Sequence, residues 1–151
     1  MSRIRILVAD QAEAVFYDAA SPGKPPTEVG RITDPAAHLH DRDFSSDRPG
    51  RYHASIGGGR HAFGHENDPR HFEAVRFARR IARRLDEARR RDEYEQLVVI
   101  AGAPFLGVVR EELSKPTRER VALELRKDLV HSPRLTVQRQ IARSVAALTA
   151  E

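Results

Sequence analysis

Six residues near the start of the chain, Ile4–Ala9 (IRILVA), form a run with the length and composition of a buried strand. Leu97–Ala101 (LVVIA) is a second run of the same buried type, far along the chain. A strand of this kind has to be covered on both faces, and that demand limits the fold more than any other feature. Ala14–Tyr17 (AVFY) and Val29–Thr33 (VGRIT) read as two further strands, with Ser21–Pro26 (SPGKPP) as a turn between them. Their short connections predict an antiparallel meander.

The cover comes from helices. Asp68-Pro69 is a start signal, with Asp68 as N-cap and Pro69 at the first helical position. At 100° per residue Ala74, Val75, Phe77, Ala78, Ile81, Ala82, Leu85 and Ala88 share one arc of about 160°. Arg76, Arg79, Arg80, Arg83 and Arg84 occupy most of the opposite arc. Arg89 falls back on the apolar side, which places the end of the packed part near Ala88. Gly102-Ala103-Pro104 turns into a helix over Phe105–Leu113, Val121–Leu125 alternates as a strand, and a last helix covers about Leu135–Leu148 after Ser132-Pro133.

The order is β-β-β-α-β-α-β-α, that of the ribonuclease-H-like fold. A right-handed crossover brings the fourth strand parallel to the first. The expected architecture is an α/β domain over residues 1–151, a five-stranded mixed sheet with helices on both faces. Between about 38 and 69 neither period persists, so a long mobile loop is expected there.

Charge is unevenly spread. The net +4 conceals nine arginines between Arg70 and Arg91 against Glu73, Asp86 and Glu87. The basic character therefore belongs to one helix. No apolar run approaches the roughly 18 residues that span a bilayer. MSRIRILVAD ends its apolar run in Asp10 without a small-residue cleavage site, which is not the pattern of a signal peptide. With no cysteine there is neither disulfide nor thiolate zinc site. These features fit a cytoplasmic protein with no membrane partner.

Several chemistries are weighed against that frame. Two-metal nuclease chemistry needs converging carboxylates; Asp10 and Glu73 are available, but the fourth strand ends in Ala101-Gly102-Ala103. Asp10 then reads as a turn residue. His38, His40, His53, His61 and His65 lie in the loop and His71 just beyond it, yet His65-Glu66 is not followed by the second histidine of a zinc-protease motif. No metal and no cofactor are assigned. Gly57-x-Gly59-x-x-Ala62 matches a nucleotide fingerprint in letters only, because it does not join a first strand to an immediately following helix. Nucleic acid remains: an arginine-covered helix beside a basic glycine loop is suited to a phosphate backbone. Loop aromatics are few (Phe44, Tyr52 and Phe63), which favours structured RNA read by shape over base stacking.

The segments ILVADQAEAVFYD, DRDFSSDRPGR, GGGRHAF, DPRHFEAVRFARRIARRL, LVVIAGAPFLGVVREEL and LRKDLVH occur in this order. Together they resemble the host-attachment protein family from about Ile6 to His131. The DRPGR and GGGRH segments and Lys127-Asp128-Leu129-Val130-His131 are the most specific parts. That family is in turn similar to the middle domain of archaeal and eukaryotic peptide-chain release factors. There a long loop carries a glycine-glycine-glutamine tip that enters the peptidyl-transferase centre and helps position the attacking water. Here Gly57, Gly58, Gly59, Arg60 and His61 stand in that place, without a like-for-like glutamine. The resemblance thus implies entry of the loop into an RNA-lined site rather than peptidyl-tRNA hydrolysis.

The expected contacts are Arg48, Arg51, Gly57, Gly58, Gly59, Arg60 and His61 in the loop. Arg76, Arg79, Arg80, Arg83 and Arg84 are expected on the flanking helix. The expected partner is ribosomal or tRNA-like RNA, with host attachment an indirect phenotype. Two alternatives stay open: a non-enzymatic protein-interaction module that regulates attachment, and a hydrolase with His61 as general base.

Overall fold

The computed structural model describes residues 3–21, 23–36 and 68–150. Among the described residues the strands form one five-stranded mixed sheet in the order β3-β2-β1-β4-β5. The strands are β1 (Ile4–Ala9), β2 (Glu13–Ala19), β3 (Thr27–Thr33), β4 (Gln96–Ala101) and β5 (Val121–Leu125). β1 lies at the centre, antiparallel to β2 and parallel to β4. β5 extends the sheet parallel to β4, and β3 closes the other edge antiparallel to β2. The helices are α1 (Pro69–Arg90), α2 (Phe105–Glu112), the single turn α3 (Lys115–Arg118) and α4 (Arg134–Thr149).

All six residues of β1 are buried, as an apolar central strand requires. Its alternate side chains feed two cores. Leu7 and Ala9 pack under α1 and α2 with Phe77, Ile81 and Leu85. Ile4, Ile6 and Val8 pack under α4 with Val137, Ile141 and Val145. Fully burying a side chain such as Phe77 or Ile81 contributes about 1.5–3 kcal/mol, so these two layers hold the sheet between them. Arg5 is the one charge within β1 and is only 6% exposed. Its guanidinium is matched by Asp18 at 2.5 and 3.1 Å and by Glu93 at 3.2 Å, and it lies 5.6 Å from the Tyr94 ring centre.

α1 begins as its sequence directs. Asp68 Oδ1 accepts the Arg70 N–H at 2.9 Å, and Pro69 occupies the first turn. Its buried stripe matches the expected arc except that Val75 is half-buried and Glu73 joins the buried set. The buried stripe ends at Ala88, as expected, while the helix itself continues to Arg90. Arg89, just beyond the stripe, is half-buried and donates its Nε to Thr117 Oγ1 at 3.1 Å. A long side chain can bury its stem and place its charged head on a partner, and here that partner is α3. α3 itself is an addition to the expected order, since one turn is too short to leave a periodic trace. α4 begins directly after the Ser132-Pro133 start signal, one residue before the expected Leu135, with Pro133 as its N-cap and no side-chain capping bond.

Candidate functional site

β1 and β4 run parallel with Ala9 opposite Ala101, and β3 ends with Thr33 opposite Glu13. The carboxyl ends of β1, β3 and β4 therefore share one edge of the sheet. In open α/β sheets that edge is where ligands are usually held. At the opposite edge the connection from α1 into β4 bonds back to Arg3, through Glu95 N–H to the Arg3 carbonyl at 2.8 Å. α1 thus runs antiparallel to β4 and starts at the carboxyl edge. Its 22 residues extend about 33 Å against about 20 Å for six-residue strands. The first turns overhang the sheet. Arg80, well inside the helix, already reaches the end of β3, donating Nη1 to the Thr33 carbonyl at 3.1 Å.

Four described groups build the edge itself. Asp10 Oδ1 accepts the N–H groups of Ala12 and Glu13, each at 2.8 Å, which makes it the turn residue its sequence position implied. Asp10 Oδ2 stands 3.5 Å from Nε2 of His131, whose side chain is 72% exposed. Asp34 follows β3 and is 5% exposed; its Oδ1 accepts the Ala36 N–H at 3.2 Å, while its Oδ2 has no partner among the described residues. Gly102 ends the β4 connection against Asp128, where an added Cβ would lie 3.3 Å from the Asp128 Cβ. The carboxylate that a two-metal nuclease would need after β4 is absent, its place held by Ala101 and Gly102. Among the described residues no three His, Cys, Asp or Glu side chains are grouped to hold a metal. No described helix is long and apolar enough to cross a membrane.

The five expected arginines of α1 separate into two sets. Arg80 and Arg84 reach back to the sheet: Arg80 to the Thr33 carbonyl of β3, with its guanidinium 5.4 Å from the ring centre of Phe77 on α1 itself, and Arg84 over Phe16 of β2 at 5.3 Å. Gly30 of β3 leaves room for the second of these, since a Cβ there would stand 2.6 Å from Arg84 Nη2. Arg76, Arg79 and Arg83 point outward along one stripe. Arg76 meets Glu73 at 3.4 Å and Arg79 meets Glu112 at 3.0 Å, with arginine side chains 70% and 65% exposed. Arg83 is exposed and makes no ion pair among the described residues.

Arg48, Arg51, Gly57, Gly58, Gly59, Arg60 and His61 lie outside the described residues, as do His38, His40, His53 and His65. The structure does locate the two ends of their segment, after Ala36 and before Asp68. One residue of the edge escaped sequence reasoning. Phe72, in the overhanging first turns of α1, is 51% exposed, with its ring 6.4 Å from that of His71. The signal was available, because Phe72 is an aromatic residue that falls outside the apolar arc of the helix.

The family model described as "Protein required for attachment to host cells" matches residues 5–141. No curated protein matches the chain. Among solved structures, one described as "Archaeal protein" is similar with a TM-score of 0.44 at 10% identity. The match covers 97% of this chain and 38% of that one, so this chain spans well under half of its length.

Proposed function

We propose, for a chain that belongs to the family of proteins required for attachment to host cells, that its biochemical role is to bind structured RNA of the ribosome or of a tRNA-like fold. The supporting observation is the overhang of α1. It carries the exposed Phe72, leads into the outward stripe of Arg76, Arg79 and Arg83, and stands where the glycine-rich basic segment returns. Arginine forks suit phosphates, and an exposed aromatic ring suits a splayed base. Strand order β3-β2-β1-β4-β5 supports a ribonuclease-H-like core, in keeping with the resemblance to a release-factor middle domain. In this reading the loop residues from Arg48 to His61 enter the RNA site and the α1 stripe steadies the flank. The protein acts in the cytoplasm, and attachment to a host follows indirectly from its action on translation.

The test is co-sedimentation of the purified protein with ribosomes across a salt series. The informative helix variant is Arg76→Gln/Arg79→Gln/Arg83→Gln, which leaves Arg80 and Arg84 to hold α1 on the sheet. Phe72→Ala and Gly58→Ala/Arg60→Ala test the overhang and the loop. Binding should weaken with salt, and the helix variant should lower the slope of log affinity against log salt by about 2–3. Absence of binding at low salt by folded wild-type protein defeats the RNA reading and leaves the protein-interaction module.

A further inference from the structure

On the face of the sheet opposite α1, a cavity of about 270 Å³ opens between β2–β3 and the start of α4. The first turns of α4, with Arg134, Val137 and Gln138, form one side of it. Val8, Val15, Leu129 and Val137 give it an apolar floor. Its polar wall carries Tyr17, Ser132, Arg134 and Gln138.

The donors and acceptors around this space are unevenly satisfied. Arg31, on the β3 side, is fully engaged: Nε and Nη2 donate to Glu28 at 3.1 and 3.0 Å, and Nη1 donates to Glu13. Glu28, the carboxylate that lines the cavity, is thereby committed. On the facing wall Arg134 has no hydrogen bond or ion pair among the described residues, and on β2 the Tyr17 hydroxyl has none among them either. α4 starts beside them without a side-chain cap. The surplus is therefore of donors, above an apolar floor.

We propose that this cavity binds a small organic anion, an apolar ring or branched chain bearing one carboxylate. The head is held by Arg134 and the Tyr17 hydroxyl, and the body rests on Val8, Val15, Leu129 and Val137. A concave space in which a few polar groups converge over an apolar floor is a usual form of a small-molecule site. The inference also gives a task to the Lys127–His131 segment. Leu129 and Val130 form part of the lining, fixed by the Ser132 N–H on the Leu129 carbonyl at 3.0 Å and by Lys127 Nζ on Gln140 at 3.3 Å. The site is independent of the RNA reading, since it faces away from α1.

Benzoate is the probe and benzamide its neutral counterpart, each titrated into the full chain while amide chemical shifts are followed. Benzoate should move the amides of Tyr17 and of residues 130–138 saturably, with a dissociation constant on the order of 10 mM or tighter. Benzamide should bind about ten-fold more weakly, and Arg134→Gln should weaken benzoate by about the same factor while leaving benzamide unchanged. Arg134 is exposed, so the variant keeps its fold, and its own spectrum verifies this. Absence of saturable shifts, equal affinity for benzamide, or undiminished benzoate binding by Arg134→Gln each overturns the proposal.

Discussion

At the scale of single residues, the polar group buried most completely is Thr117, which has no exposed surface. Its hydroxyl donates to Asp86 Oδ1 and accepts from Arg89 Nε, while Ser114 Oγ donates to the same carboxylate oxygen at 2.6 Å. Thr117→Val keeps the shape and takes one bond from each of two half-buried partners, so it should cost about 1–3 kcal/mol, read as a lower urea midpoint. Burial alone would raise the Asp86 carboxyl, but the Ser114 and Thr117 bonds and the Arg89 and Arg90 charges outweigh it and hold it below the usual aspartate range. A depressed carboxyl stabilises the fold above its unfolded pKa of about 3.9 and loses that effect as pH falls through the folded value. The stability gap between wild type and Asp86→Asn should therefore be full at pH 7 and close below about pH 4. None of this could be read from the chain, because Asp86, Arg89 and Thr117 look like ordinary surface residues until a turn of helix brings them together.

Elements were far more legible. β1, β5 and the start of α1 fall where their patterns place them, because a continuous apolar run and an Asp-Pro start are local signals. Asp68→Ala removes the bond to the Arg70 N–H and should cost about 1 kcal/mol in thermal or urea unfolding. Phe77 has no exposed surface and stacks on Phe105 with ring centres 6.2 Å apart, joining α1 to α2. Phe77→Ala should accordingly cost about 3–5 kcal/mol, several times the loss of the cap. β2 and β3 were expected shorter than they are, since Glu13, Asp18, Thr27 and Glu28 weaken the strand pattern at their ends. Asp18 earns its position only through Arg5, on the neighbouring strand. Such a pairing is visible in register and invisible in sequence.

For the whole molecule, the sheet's covering on both faces followed from the two buried runs, and the parallel pairing of β4 with β1 was expected from the crossover rule. The candidate site was legible in part. The arginines of α1 were evident as a face, but the division between those lying on Phe16 and Phe77 and those pointing outward depends on where the sheet ends. Substituting Arg84→Gln should therefore lower stability, by about 0.5–1 kcal/mol from the lost ring contact, while Arg83→Gln should leave it within about 0.5 kcal/mol. Differential scanning calorimetry distinguishes the two. The central place of β1 has a consequence for how the chain is made. Its partner β2 emerges at once, but the strand on its other side, Gln96–Ala101, comes only after α1 has been synthesised. Until then the β1–β3 meander leaves the β1 edge open for pairing and the face that α4 covers bare to its surroundings. A nascent chain stalled before Gln96 should be captured by chaperones or aggregate, and the long wait for that pairing makes completion of β4 the step that commits the protein to fold.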